Sequence, residues 1–441
     1  MIREDWVEVE LGHVCEKVAK VKRKEMPLEQ PLIYIDIGGI DNALNKIVDH
    51  KEYTWSDAPS RAQQVVRVGD VLFSTVRTYL KNVAQVTNPK YNNEICSSGF
   101  TVIRGQEGIL HPRYVFYLTL FEGFLQPLNE LQTGTSYPAV RDRDVFAQRI
   151  RLAPFPEQRA IVAKIEQLFS GLDNGIANLK AAKDKLEIYR QAVLKKAFEG
   201  ELTKEWRIRN GLGEWRTMPL SDVGDIITGT TPPKKNSEYY VPREYNFYKP
   251  SDLNAGHNVV SSIDRLSREG YEVGRKAPEN SVLVTCIGAT IGKAGFIRKE
   301  GCFNQQINAI LPFGRYNPKF VYYQVIGADF QEQIQSEASA TTLPILNKRK
   351  FSGLTIRVCS EQEQVQVVLE IEKRLSVCDK VQISIEEEVE KANLLRQSIL
   401  KKAFEGSLLT RYELDACRKE PDWEPVDKLL ERIKKQRNEQ V

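Results

Sequence analysis

Residues 190–200 read RQAVLKKAFEG, and residues 396–406 read RQSILKKAFEG. Nine of these eleven positions are identical, and the other two exchange Ala for Ser and Val for Ile. The offset of 206 residues runs back without a gap to Pro138 and Pro344. Over those 63 positions 21 are identical, including Arg151/Arg357, Glu157/Glu363, Gln158/Gln364, Ile165/Ile371 and Asp173/Asp379. One register held over that length, polar positions included, marks a unit written twice rather than two unrelated helices with similar heptads. Weaker echoes continue upstream: HPRYVFY at 111–117 matches NPKFVYY at 317–323, and DVLFSTV at 70–76 resembles SVLVTCI at 281–287.

The end of each copy reads as a helix. Ile165, Leu168, Leu172, Ile176, Leu179, Ala182, Leu186, Tyr189 and Val193 recur at spacings of three and four. Val368, Ile371, Leu375, Cys378, Ile385, Val389, Ala392, Leu395 and Ile399 do the same in the second copy. Such a stripe is close to a coiled-coil seam. Pro156 suits a first helical turn, and Ser360 with Glu363 has capping-box spacing. Gly200 and Gly406 stand where C-terminal stops belong. Gly171 and Gly175 weaken the first helix and predict a local kink. From 157 to 199 an unbroken helix would span about 65 Å.

The rest of each copy reads as mixed α/β. PLIYIDI (31–37), VLFSTV (71–76), FTVI (100–103), YNFYK (245–249) and SVLVTCI (281–287) are expected strands, separated by Gly, Pro, Asn and Asp turns. Segments 112–128 and 318–335 are expected helices, each opened by a proline. These globular parts agree poorly in sequence although their elements keep the same order. A constant scaffold carrying two different readers would show that pattern. The expected fold is α+β: two globular α/β domains alternating with two long helices that pair as an antiparallel coiled coil of pseudo-two-fold symmetry. The expected boundaries are 1–153, helix 154–205, 206–359, helix 360–410 and a tail helix 411–441.

Composition narrows the class. The chain has 441 residues, 41% hydrophobic and 28% charged, which suits a folded protein of two or three domains. A net charge of +4 neither requires nor excludes nucleic acid, since local basic surface matters more than the sum. The seven cysteines lie far apart without a CxxC, which predicts reduced, mostly buried thiols and a cytoplasmic protein. The N-terminus, MIREDWVEVE, is too charged for a signal peptide, and no apolar run approaches membrane-spanning length, so no membrane partner is expected.

Several catalytic look-alikes fail. Asn317-Pro318-Lys319-Phe320 resembles the Asn-Pro-Pro-aromatic loop of adenine methyltransferases, but the other copy has His111-Pro112-Arg113-Tyr114 there, so a helix start is the better reading. Gly288-Ala-Thr-Ile-Gly292-Lys293 is one residue short of a phosphate loop, and Ala294 stands where Ser or Thr should hold magnesium. The four histidines are scattered, and no Ser/His/Asp or paired-carboxylate signature stands out. The chain reads as non-catalytic, with no metal site and no cofactor of its own.

Binding signals lie in the variable parts. The first offers Lys22, Arg23, Lys24, Arg61, Arg77, Tyr79 and Lys81; the second offers Thr230, Lys234, Lys235, Lys249, Thr290, Lys293, Gln305 and Gln306. Arg, Lys, Asn and Gln read base edges, while Ser, Thr and Lys commonly hold phosphates. The loops with Thr133, Thr135 and Ser136, and with Thr341 and Thr342, occupy equivalent places in the two copies. The competing class is a coiled-coil protein whose globular ends bind other proteins; salt-dependent binding to duplex DNA separates the two.

With these residues in place, the chain resembles the specificity (S) subunits of type I restriction-modification enzymes. The likeness covers nearly the whole length. It is strongest in the FPEQ/EQEQ-to-KKAFEG regions at 155–200 and 361–406 and in the tail EPVDKLLERIK at 424–434. TGTTPPKKNSEYY, TCIGATIGKAG, FNQQINAI and ATTLPIL look like one type of target-recognition domain; YIDIGGID, APSRAQQ and GDVLFSTVRTYLKN look like another. The resemblance implies that each globular part reads one half of a split, asymmetric double-stranded DNA site. It also implies that the paired helices set the spacer and that the chain docks two methyltransferase (M) subunits. Those subunits would carry S-adenosylmethionine and methylate adenine. Restriction (R) subunits would add ATP- and magnesium-dependent translocation and cleavage.

Overall fold

The computed structural model describes residues 6–312, 314–339 and 343–439. The chain divides into two compact units, Met1–Asn178 with Glu387–Val441, and Leu179–Glu386. The two long helices of the repeat, Phe155–Phe198 and Glu361–Phe404, contribute to both.

The shared ending LKKAFEG has a physical reason at each position that matters. Leu194, Ala197 and Phe198 are buried in the core of the second unit. Ile399, Leu400, Ala403 and Phe404 are buried in the core of the first. Gly200 and Gly406 then take left-handed φ values of 79° and 78°. In one copy the Glu201 N–H donates to the Lys196 carbonyl (3.0 Å) and Gly200 N–H to Ala197 (3.1 Å). In the other, Ser407 reaches Lys402 (2.8 Å) and Gly406 reaches Ala403 (3.3 Å). Both helices therefore end in a Schellman motif, as the glycines predicted.

The long helices pair antiparallel within each unit. In the second unit Lys183 bonds Glu386 at 2.9 Å and Arg190 bonds Asp379 at 2.7 Å. Seven residues forward on one helix match seven back on the other, two full turns at 3.6 residues per turn. In the first unit Arg396 pairs with Asp173. Cys378 and Ile385 are buried in the seam, as the stripe predicted, whereas Tyr189 and Leu395 remain 49% and 48% exposed. The first helix runs through Gly171 and Gly175 without interruption.

Each unit repeats one sheet plan. In the first, Val7–Glu10 pairs antiparallel with Arg149–Leu152 at the foot of the long helix. A three-stranded sheet has the order Phe100–Ile103, Val71–Ser74, Val83–Gln85. A four-stranded sheet has the order Lys51–Thr54, Pro31–Ile35, Ile95–Ser97, Ala62–Val65, and its two middle strands are parallel. The second unit answers with Arg216–Pro219 on Thr355–Val358. One sheet there runs Ile226–Thr228, Ile307–Ile310, Val282–Thr285, Ala294–Phe296. The other is built around a parallel pair, Tyr245–Tyr248 with Gly301–Phe303. All five strands expected from the sequence are present.

The repeated polar residues join helix to sheet. Glu157 and Glu363 are fully buried and accept from Trp6 Nε1 and Trp215 Nε1, both at 3.0 Å. The Gln158 and Gln364 side chains accept from the His111 and Asn317 backbone N–H groups, both at 2.8 Å. A buried side chain that satisfies a helix-entry donor cannot be exchanged cheaply. The capping box at Ser360 is only half made. Ser360 Oγ accepts from the Glu363 N–H at 3.3 Å, but the Glu363 carboxylate is engaged by Trp215, Thr203 and Arg207.

The helices expected over 112–128 and 318–335 are each two. Pro112–Leu118 is followed by Glu122–Leu131, and Pro318–Val325 by Ala328–Glu337. The chain becomes extended at Phe121 (ψ 131°) and Gly327 (ψ 148°), which a helix cannot absorb. Asn317 caps its helix by accepting from the Lys319 and Phe320 N–H groups, in keeping with a helix start rather than a catalytic loop.

Candidate nucleic-acid interface

The variable loops gather at one end of the strands in each unit. In the second, strands 226–228, 245–248, 282–285 and 301–303 finish there, and 294–296 and 307–310 begin there. That end carries loops 229–235, 249–254, 286–293 and 304–306. In the first unit the corresponding end carries loops 36–39, 75–81 and 97–99, with Arg61 just before strand Ala62–Val65.

A shared backbone lattice fixes the two most prominent loops. In the first unit Val76 bridges Ala139; the Arg77 N–H donates to the Pro138 carbonyl (2.8 Å), Val140 to Thr75 (3.0 Å) and Thr133 to Ala139 (3.0 Å). In the second, Ile287 bridges Ile345; Gly288 donates to Pro344 (3.0 Å), Leu346 to Cys286 (2.8 Å) and Ser339 to Ile345 (3.0 Å). These bonds recur in both frames, although the Ala139 N–H donates to the Thr133 carbonyl (3.0 Å) where the Ile345 N–H donates to Ser339 Oγ (3.1 Å), and the residues displayed differ. Thr341 and Thr342 lie outside the described residues.

Within the first unit, Arg77 and Ser136 are brought together. Arg77 Nη2 donates to the Ser136 carbonyl at 2.9 Å, and the guanidinium lies 4.7 Å from the Tyr137 ring centroid. Thr133, Thr135, Ser136 and Tyr79 are exposed beside it. Asn42 Nδ2 donates to the Leu80 carbonyl (3.0 Å) and Asn45 Nδ2 to that of Lys81 (2.9 Å), which holds the Tyr79 tip outward. The Lys81 ammonium pairs with Glu122. Arg61 joins this end because its carbonyl accepts from Ser98 N–H at 2.8 Å, next to Gly99, which accepts from Thr75. Behind it, burial raises the Tyr34 phenol above its ordinary range, against a hydrogen bond with Ser97 that lowers it.

The run Lys22–Lys24 is tied elsewhere. Arg23 donates to the carbonyls of Ala58 (2.6 Å), Trp55 (3.1 Å) and Pro59 (3.2 Å), so it clamps the 55–59 loop. Lys22 meets Glu25 at 3.3 Å, and Lys24 is exposed. Sequence reading could not separate the clamp from its neighbours, because the three carbonyls lie more than thirty residues away.

In the second unit Gln305 accepts from Thr231 Oγ1, and Gln306 Oε1 accepts from Asn304 Nδ2 at 2.9 Å. Both amides are thereby oriented. Thr230 Oγ1 accepts from the Arg275 N–H (3.2 Å) and so serves the loop itself. Gly229 permits a close approach: a Cβ there would stand 2.1 Å from the Asn304 carbonyl oxygen. Lys293 Nζ donates to Asn254 at 2.7 Å, and Lys249 pairs with Asp264. Lys234, Lys235 and Thr290 are exposed. The segment at 288–293 passes directly into strand Ala294–Phe296 rather than a helix, so it lacks the helix N-terminus that a phosphate loop supplies.

The site has the chemistry of recognition: fixed backbone, side-chain donors and exposed aromatic surface. Among the described residues no cluster of His, Cys, Asp and Glu is placed to hold a metal ion, and no helix is long and apolar enough to cross a membrane. Burial pushes the Cys286 and Cys302 thiols up to about 12, which keeps them protonated at neutral pH.

Comparison with known proteins places these features. Residues 213–395 match the family described as type I restriction modification DNA specificity domain. The chain is 24% identical to the type I restriction enzyme HindI specificity subunit of Haemophilus influenzae, over 84% of this chain and 94% of that protein. It is 21% identical to the EcoDI specificity subunit of Escherichia coli, over 98% and 95%. Among solved structures, one from a study of complex assembly and conformational transition of the type I R-M system aligns with a TM-score of 0.76 at 28% identity, covering 92% of this chain and all of the other. The HsdS subunit from Thermoanaerobacter tengcongensis aligns with a TM-score of 0.57 at 27% identity, covering 92% and 98%.

Proposed function

We propose that this chain is a DNA specificity subunit of the type I restriction-modification kind, a reading its likeness to those proteins supports, and that each unit reads one half of a split, asymmetric site in double-stranded DNA. The observation that carries this is the duplicated loop lattice, Val76–Ala139 and Ile287–Ile345, which presents different side chains on one backbone frame. Equal frames with unequal tips suit two related docking positions and two unrelated half-sites. The reading domains would span 1–153 and 206–359, with helical spacers at 154–205 and 360–410 and a tail at 411–441.

In the first reader, Arg61, Arg77, Tyr79, Lys81, Thr133, Thr135 and Ser136 would face DNA. In the second, Thr230, Lys234, Lys235, Lys249, Thr290, Lys293, Gln305, Gln306, Thr341 and Thr342 would do so. Lys22 and Lys24 would contact phosphate at the flank, with Arg23 holding their turn. Exposed lysines supply the sequence-independent, salt-sensitive part of binding, and Arg and Gln the base edges.

The paired helices would set the distance between half-sites, roughly one turn of DNA apart as for other two-headed readers. Two methyltransferase subunits would dock on the repeated helices. Ile188 and Tyr189 in one, and Leu394 and Leu395 in the other, occupy the same repeat positions and stay 70%, 49%, 66% and 48% exposed. Apolar surface that recurs in both copies suits two copies of one partner. S-adenosylmethionine would be held by those subunits, where a flipped adenine is methylated, and ATP and magnesium by restriction subunits. The whole would act in the cytoplasm, where the DNA is.

The test is to co-express the chain with its methyltransferase partner and map N6-methyladenine across a genome. A two-part motif with a fixed gap is expected. No new methylation, or a one-part motif, would overturn the reading.

A further inference from the structure

Arg77 is held from several sides. Its φ is +49°, a left-handed value that it shares with Lys81 (+54°) and that a residue with a side chain reaches only at a cost, so the surrounding lattice holds it there. The Pro138 carbonyl takes its backbone N–H, and the Tyr137 ring, 71% exposed, lies along its guanidinium. Nη2 spends one hydrogen on the Ser136 carbonyl, and Nε is buried. Nη1 has no partner among the described residues, and Nη2 keeps its second hydrogen. Two parallel donors at the end of a stacked, immobilised plane are what the O6 and N7 acceptors of guanine require.

The second unit shows what the same frame looks like without this side chain. Gly288 occupies the position equivalent to Arg77, with φ +101° and the matching bond to Pro344. A Cβ there would meet only Gln306 Nε2 and Leu343 Cδ1, both at 3.8 Å. The space beside the frame is therefore lined by an amide from another loop and by Leu343, next to Pro344.

The geometry points to Arg77 as a specificity-determining residue: it fixes one guanine in the half-site read by the first unit, through paired donors to O6 and N7. This rests on the DNA-reading function proposed above.

The experiment compares the native complex with complexes carrying Arg77→Gly and Arg77→Lys. Readouts are the N6-methyladenine motif and competition binding of duplexes differing at single positions. Glycine suits the left-handed backbone and already stands at the equivalent position, so R77G removes the side chain without straining the fold. Lysine keeps the charge but loses the fork. The native motif is expected to contain an invariant guanine in one half, with about 5- to 100-fold preference over other bases. In both variants that preference should fall to within about 3-fold, with the other half-site and the gap unchanged. A native two-part motif in which R77G and R77K keep the full guanine preference overturns this inference alone. A native complex that yields no two-part motif overturns the DNA-reading assignment with it.

Discussion

Arg190 donates to the Asp379 carboxylate at 2.7 Å across the helix pair, and the repeat-related Arg396 and Asp173 make the same ion pair in the first unit. All four residues belong to the constant part of the repeat. A duplicated helix that pairs with its own copy antiparallel can present a contact twice where both partners are retained in both copies, as they are here. Arg190 is largely covered (17% exposed) and Asp379 is not (48%), so the bond is partly screened by solvent. Arg190→Ala is expected to lower stability by about 0.5–1 kcal/mol. The charge reversal Arg190→Asp with Asp379→Arg should recover most of the loss. A double-mutant cycle in urea measures the coupling, and a value of zero would mean that the pair does not select the register.

Glu363 is the more demanding residue. It is fully buried and accepts from Thr203 Oγ1 (2.7 Å), Trp215 Nε1 (3.0 Å) and Arg207 Nη1 (3.1 Å). Glu363→Ala strands a covered guanidinium, 13% exposed, and an indole N–H together. The expected loss is about 3–5 kcal/mol, the usual consequence of breaking a buried pair from one side. Glu363→Gln keeps the shape and an acceptor and should cost less. Chemical denaturation of the three proteins orders them; an alanine variant within 1 kcal/mol of native would refute this account.

Glu363 also shows where sequence reading ends. Its identity with Glu157 was visible in the repeat, and its spacing from Ser360 suggested a capping box. The partners that claim its carboxylate come from about 150 residues away, and no local pattern encodes them. The long helices, their stops and the strand candidates were legible because periodicity and glycine conformations are local. The breaks at Phe121 and Gly327 were not, because apolar spacing continues across both. Among the binding candidates, chemistry alone could not tell Arg23, spent on three carbonyls, from Arg77, stacked and half free.

The tail offers a pH dependence. Glu413 caps its helix by accepting from Thr410 N–H (2.7 Å) and pairs with Lys164 on the first long helix at 2.9 Å. The Thr410 backbone bond, then the Lys164 and Thr410 side chains, hold its carboxyl down at about 2, from an ordinary 4.5. A folded value below the unfolded one means that the contribution is complete above about pH 4.5. It is lost progressively as pH falls towards 2. Amide exchange over 411–417 should therefore accelerate in that window, and Glu413→Gln should remove the acid dependence while raising exchange at neutral pH. Identical profiles for native and E413Q would argue against the tether.

Two glycines in one helix should respond oppositely to alanine. Gly171 lies within the first long helix, and a Cβ there meets nothing within 4 Å. Glycine in a helix interior costs about 0.5–1 kcal/mol relative to alanine, mostly through the freedom of the unfolded chain, so Gly171→Ala should gain about that much. Gly200 ends the same helix at φ 79°, and its Cβ would stand 2.9 Å from Arg207 Nη1. Gly200→Ala should lose about 1–2 kcal/mol, the penalty of a left-handed residue with a side chain. It should also loosen the Arg207–Glu363 contact, so its effect and that of Glu363→Gln should be less than additive. The methylation motif separates stability from function. On the proposed two-part reading, Gly171→Ala leaves the helical rise unchanged, so the gap between half-sites should stay the same. A changed gap would show that this helix bends at Gly171 when the subunit is on DNA.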